Sequence, residues 1–299
     1  MRSKLFKAMI AAGLLTAGVA AVAGPISLPG GPLFIQYTNV EQYSASNSIT
    51  TTDALGNPVN EGNWGIIQVS SIVQGTALPP PGSDIQGGGA NVFSPGSPGG
   101  PQITGIFYGT HSIAGTGNST GGVVDLYWQD VGSANTGAQL AAGFNPSNRP
   151  NQRTYLGFAE PLNPSFTFLG EFLYTPGCDN GGVNTVCSGT VPGTGDGAAK
   201  SYQDVNLAAG GAWATKLDTN FFTLNAIGAP LVPPADIRTD SNFTANGASL
   251  WNVAGTDIVG LRSNDPIRAN ATPEPGSLAL VGLALVGFAF SGRRLRKQA

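Results

Sequence analysis

The sequence is poor in charge, histidine and cysteine. Charged residues make up 10% of its 299 residues, and His111 is the single histidine. With one histidine, most of the nucleophile–base pairs that enzymes use are unavailable. The string Gly117-Asn118-Ser119-Thr120-Gly121 fits the esterase pattern G-x-S-x-G, but that motif needs a helix after the serine and a histidine later in the chain. We interpret it as a Gly-rich hairpin loop and His111 as an ordinary structural or surface residue, and we predict no enzyme activity.

Positive charge is scarce in the body of the chain. Seven of the 14 cations lie in the first seven and last seven residues. Residues 24–272 therefore hold seven cations against 16 carboxylates, a net charge of about −9. Such a surface argues against nucleic acid as a partner, because nucleic-acid binding needs clustered lysine and arginine.

Residues 1–23 have the features of a secretory signal peptide. Three cations precede the apolar stretch Ala8–Val22, and Ala21 and Ala23 form an A-x-A cleavage site. We predict that the mature chain begins at Gly24. The alternative is an uncleaved anchor.

The last 28 residues hold a proline–glutamate–proline triplet, an apolar run and a cationic end. As a helix, the run would extend roughly 22 Å, which is short for a hydrocarbon core of ~30 Å. The cations that follow it belong on the cytoplasmic side, so the body would lie on the opposite side of that membrane. The alternative is a buried C-terminal core helix. The residues concerned are Pro273, Glu274 and Pro275, the apolar helix 278–290, and Arg293, Arg294, Arg296 and Lys297.

This order resembles the PEP-CTERM sorting signal of Gram-negative bacteria, over residues 273–297. The resemblance implies export through the secretory translocon, transient anchoring in the inner membrane, recognition by exosortase, removal of the tail, and delivery to the cell surface or extracellular matrix. Such tails are also labelled ice-binding protein C-terminal segments, but the body has only one isolated threonine run, Thr50-Thr51-Thr52. Residues 251–261 and 263–268 resemble the end of flocculation-associated PEP-CTERM proteins, which implies a structural matrix role.

Alternation with a period of two dominates the body and predicts strands. Val124, Leu126 and Trp128 alternate with polar positions, as in a half-buried strand. Short strands between Gly, Asn, Ser and Pro turns predict an all-β class, with an antiparallel β-sandwich or jelly-roll-like body at residues 24–263. Two segments are predicted to be irregular: a Gly/Pro-rich exposed loop at 76–102 and a linker at 264–272. A second strand places four aromatic residues on one face: Phe166, Phe168, Phe172 and Tyr174.

The two cysteines, Cys178 and Cys187, are separated by eight residues that include two glycines. Export would place them in an oxidising compartment, so we predict a disulfide. We predict no metal site there, because two cysteines lack the other ligands of a closed zinc site.

Some carboxylates and tryptophans are candidates for catalysis, calcium binding or sugar binding, but we predict neither a cofactor nor a metal. Glu160 and Glu171 are the pair to consider for a glycoside hydrolase, although two turn positions would explain them equally. Several loop residues carry oxygens that could bind calcium, but we interpret them as turn residues. We interpret the four tryptophans as core residues rather than as surfaces on which sugars stack. The sequence thus favours a structural or adhesive protein of biofilm or floc, with extracellular polysaccharide as a candidate partner. A secreted carbohydrate-binding module is the alternative. The loop oxygens are Asp179, Asn180, Asp196, Asp236 and Asp240, and the tryptophans are Trp64, Trp128, Trp213 and Trp251.

Overall fold

The computed structural model describes residues 26–52, 58–95, 101–129, 166–179, 182–245 and 247–273. Antiparallel strands dominate these ranges and confirm the predicted all-β class. The strands are β1 (Gly31–Tyr43), β2 (Ile49–Thr52), β3 (Pro58–Glu61), β4 (Asn63–Leu78), β5 (Asp84–Phe93), β6 (Gln102–Ser112), β7 (Ser119–Gln129), β8 (Phe166–Thr175), β9 (Val186–Ser188), β10 (Gly197–Val205), β11 (Phe222–Leu224), β12 (Pro230–Ala235), β13 (Ile237–Ala245) and β14 (Val259–Ala271).

Helical structure within these ranges is limited to α1 (Ala214–Leu217) and the short 3-10 turns Leu207–Ala209 and Ser249–Trp251. None of it is long and apolar enough to cross a membrane. The predicted signal peptide, residues 1–23, and the predicted helix 278–290 lie outside the described residues.

Eight of the strands form a sheet that closes on itself. Its order is β1-β14-β13-β10-β8-β7-β6-β4, and β4 pairs back onto β1 from Leu33↔Gln74 to Tyr43↔Asn63. Closure pairs both edges of every strand in the ring, which removes the exposed edges of an open sheet. The body is therefore an antiparallel all-β unit whose main sheet is closed, with an interior and an exterior. β5 extends the sheet beyond β4, and β9 bridges β10 and β7.

Alternate residues of the strands fill the interior, which divides into two halves. One half is apolar and is closed at its end by Leu28, Trp213 and Leu217. The other half is polar and includes the buried residues Asn39 and Glu41. As predicted, all four tryptophans are buried: Trp64, Trp128, Trp213 and Trp251.

The prediction that the β8 aromatics share one face is wrong. Leu126 pairs with Gly170 and Tyr127 with Phe168, so Leu169 is an extra residue in β8. This bulge reverses the alternation. Phe172 packs inside the ring, and Phe168 packs against a cluster on the outer face.

Two segments predicted to be irregular contain strands. Residues 264–271, expected to be a linker, form the second half of β14 and pair with β1 up to Gly31↔Ala271. The predicted loop at 76–102 contains the end of β4, the turn 79–83, all of β5 and the start of β6. Composition was misleading there because the consecutive prolines Pro79 to Pro81 all lie in the turn, where no ladder N–H is needed.

Candidate functional site

The hairpin of β4 and β5 folds over the outer face of β1 and β14 and encloses a groove with it. The groove has a volume of about 500 Å³, which falls within the ~300–1,000 Å³ typical of small-molecule sites. Side chains from four strands line it, among them Phe34, Gln36, Val73, Asp84, Gln86 and Arg268.

Glycine lets β5 pack closely on the sheet. A side-chain carbon at Gly87 would lie 2.8 Å from the ring of Phe34, and one at Gly89 would lie 2.6 Å from the carbonyl oxygen of Gln74. Either contact is too close for a larger residue, so the Gly-rich run that suggested a loop is what allows the hairpin to lie here.

A cluster of four charged side chains fixes the hairpin tip to β13 and β14. Arg268 contacts Asp84 at 2.8 Å and also pairs with Asp240. Arg238 contacts both carboxylates at 3.3 Å. The cluster has two charges of each sign, and its side chains are between 9% and 26% exposed. Because each arginine also donates to a hairpin carbonyl, the groove wall is held by charge-assisted bonds.

The groove combines an aromatic face with planar polar groups. The guanidinium carbon of Arg268 lies 5.5 Å from the centroid of the half-buried Phe34 ring. Gln36 and Gln86 are exposed at the same groove, and each amide offers a donor and an acceptor. The arrangement therefore offers one apolar surface and several hydrogen-bonding groups to a ligand. Nothing in the sequence marks these residues as a site; the one available signal is the proline turn followed by three glycines.

Each candidate catalytic or calcium residue that the structure describes has its own separate set of partners. Glu171 lies on the outer face of β8, opposite Asp125 of β7, and accepts a hydrogen bond from the side-chain amide of Asn206. Glu160 lies outside the described residues. Asp236 accepts bonds from the N–H groups of Val205, Thr219 and Asn220.

The other loop residues that could bind calcium either accept hydrogen bonds or form ion pairs within the protein, or lie outside the described residues. Asp179 accepts from the Asn184 side chain, and Asp196 from the N–H of Ala245. Asp240 belongs to the charged cluster above, and Asn180 lies outside the described residues. His111 is exposed on β6, and Ser119 opens β7 after a hairpin turn.

Cys178 and Cys187 form the predicted disulfide, with their Cα atoms 5.7 Å apart. With Asp179 they make the one group of three metal-ligand residues found in the described part of the chain. Both sulfurs are used in the disulfide, so this group lacks the thiolates that a zinc site of this kind needs.

Both ends of the described body meet at α1. The indole N–H of Trp213 donates to the carbonyl of Ile26 at 3.0 Å, and the N–H of Thr272 donates to the carbonyl of Lys216 at 2.8 Å. Pro273 follows directly and is exposed. The chain therefore enters and leaves the closed sheet at its apolar end.

A family model, the PEP-CTERM protein-sorting motif, matches residues 271–294. The tail is a PEP-CTERM sorting signal. Such a signal implies that the protein is exported to the cell surface or the extracellular space. It also implies processing by exosortase, which is a membrane protein. No curated protein and no solved structure matches the chain. Of the signal residues, Pro273 is described. The others lie outside the described residues: Ala21, Ala23, Glu274, Pro275, Arg293, Arg294, Arg296 and Lys297.

Proposed function

We propose that this protein is a non-catalytic adhesive component of the cell surface or extracellular matrix, in biofilm or floc, and that it binds matrix polysaccharide in the groove under the β4–β5 hairpin. The observation that carries the proposal is the half-buried ring of Phe34 beside the guanidinium of Arg268, with exposed amides at the same groove. An apolar ring face suits the C–H face of a sugar, and the amides suit its hydroxyls.

The charge balance favours a neutral polysaccharide. The two arginines and two aspartates at the groove neutralise one another, whereas residues 24–272 carry a net charge of about −9. An anionic polymer would meet repulsion over most of the body. A neutral hexose polymer meets none.

The test is binding of the purified exported protein to an array of neutral glycans. We expect Phe34→Ala to weaken binding at least tenfold, and Gln36→Ala and Gln86→Ala, whose exposed side chains are not needed for the fold, to weaken it severalfold. Gly189→Val is the control, because nothing lies within 4 Å of the added carbon there. Melting curves identify any variant that is merely unfolded. Absence of glycan binding, or equal binding by all variants, would refute the groove as the site.

The wider role is tested in cells. Deleting the gene should reduce aggregation or alter matrix architecture without loss of an enzymatic activity, and a chain carrying Gln36→Ala with Gln86→Ala should restore aggregation less well than the unmodified chain. Unchanged flocculation and biofilm in the deletion strain would count against an adhesive role.

A further inference from the structure

The polar half of the interior surrounds a small cavity. Its volume is about 60 Å³, enough for about four water molecules at ~15 Å³ each and too small for a sugar. Seven of the eight ring strands contribute side chains with a polar group to its wall, among them Asn39, Glu41, Asn63, Thr110, Ser201 and Ser241.

Two carboxyl groups are buried in this half of the interior. Glu41 is 6% exposed and Asp265 is fully buried. Glu41 accepts hydrogen bonds of 2.9 Å from the hydroxyl of Ser263 and the amide of Asn63. Burial raises the pKa of Glu41, and burial followed by repulsion from Glu41 raises the pKa of Asp265.

No lysine or arginine in the described ranges neutralises these carboxyls. Arg238 and Arg268 pair with Asp84 and Asp240 on the outer side of the sheet. Lys200 and Arg262 are exposed, and Lys216 lies in α1. A buried carboxylate without a counter-charge is costly unless it takes up a proton or binds a cation.

Two side-chain oxygens in the cavity wall favour the binding of a cation over the uptake of a proton. The Oδ1 atom of Asn39, a residue only 5% exposed, and the buried Oδ1 atom of Asn63 accept no hydrogen bond from any residue that the structure describes. The amide nitrogen of Asn63 is engaged by Glu41, which leaves its oxygen for another partner. Acceptors beside a buried carboxylate match what a hard cation needs.

We propose that this cavity binds one calcium ion, held by the carboxylate of Glu41 and the side-chain oxygens of Asn39 and Asn63, with water completing the coordination. All these ligands are oxygens, as Ca²⁺ prefers, and its two charges balance those of Glu41 and Asp265. Ca²⁺ accepts irregular sets of 6–8 oxygens more readily than Mg²⁺ does. The proposal does not depend on the groove.

Calcium titration of the full exported protein after chelation tests this inference. We expect one Ca²⁺ per chain by calorimetry, with a dissociation constant of about 10⁻⁵ to 10⁻³ M, a higher melting temperature with Ca²⁺, and a weaker response to Mg²⁺. Glu41→Gln should weaken binding at least tenfold and Asn39→Ala severalfold. Glu171→Gln is the matched control, because it removes a carboxylate from the outer face.

The melting temperature without calcium separates a lost site from a lost fold. Glu41→Gln removes a buried charge and keeps the shape of the side chain, so it should melt no lower than the unmodified chain in chelator at pH 8. If the unmodified chain binds no calcium, or if Glu41→Gln binds it equally, the cavity holds water beside protonated carboxyls and the proposal is wrong.

Discussion

The backbone carbonyl of Lys216 accepts a hydrogen bond of 2.8 Å from the N–H of Thr272, the residue immediately before the sorting triplet. Ala271 is buried and pairs with Gly31, and Pro273 lies so close to Gly30 that a side-chain carbon there would be 2.9 Å away. The folded body therefore extends to the first residue of the triplet. Since no spacer separates the described body from Pro273, we expect exosortase to meet the start of the signal next to a folded surface.

A spacer should accelerate tail processing. Inserting six Gly/Ser residues after Thr272 moves the triplet away from the closed sheet, so we expect severalfold faster conversion from the anchored to the released form. Pulse–chase labelling followed by immunoblotting measures both forms. The same insertion at Gly189, where the surroundings are open, should have no effect. Equal rates for both insertions would show that the folded body does not limit access.

The closure of the apolar end depends on Trp213. This side chain is 1% exposed and donates to the carbonyl of Ile26. Trp213→Ala should lower the free energy of unfolding by ~3–5 kcal/mol, because it leaves a large cavity. Trp213→Phe keeps most of the volume and should cost only ~1–2 kcal/mol for the lost hydrogen bond and reduced packing. Urea unfolding of both variants gives the comparison, and similar losses would indicate that packing does not dominate at this residue.

The sequence predicted strands well where alternation is uninterrupted and poorly where one residue breaks it. Val124, Leu126 and Trp128 all face the interior, as their spacing indicates. The bulge at Leu169 leaves no comparable signal, because alternation continues through it in the printed sequence. Closure of the sheet is also hidden, since it depends on pairing between β1 and β4 rather than on any local motif.

The candidate sites were missed for a related reason. The groove brings together Phe34, Asp84 and Arg268, which lie far apart in the chain and meet only because β5 folds over β1 and β14. Likewise, Glu41 and Asp265 look like ordinary strand residues, and only the closed sheet places both inside. The sorting signal is a contiguous motif, so the sequence alone was enough to predict it.

The disulfide should stabilise the buried cluster that Cys178 forms with Tyr202, Phe222 and Leu231, against which Cys187 packs. Replacing both cysteines by alanine should lower the free energy of unfolding by ~2–3 kcal/mol, because the short closed loop regains freedom in the unfolded chain. Denaturant midpoints of the two chains under oxidising conditions test this. A reducing agent should shift the unmodified chain to the midpoint of the double variant and leave that variant unchanged. Equal midpoints under oxidising conditions would contradict a stabilising role.

Asp204 should make stability fall as the pH rises from about 4 to 6. Burial, followed by repulsion from Asp236, raises the pKa of Asp204 to about 6, whereas an unfolded aspartate titrates near ~3.9. Between these values the folded state binds more protons at Asp204 than the unfolded state, so the contribution of Asp204 to the free energy of unfolding decreases with pH and levels off above about 6.

Asp204→Asn should reduce this slope without removing it, since burial also raises the pKa of Asp236, which acts in the same direction. Urea unfolding at several pH values measures the slope. Asp196→Asn is the control, because that exposed side chain lies elsewhere and accepts only from the N–H of Ala245 among the bonds observed in the described residues. A variant slope equal to that of the unmodified chain would mean that Asp204 is charged throughout this range and that neither burial nor repulsion from Asp236 raises its pKa.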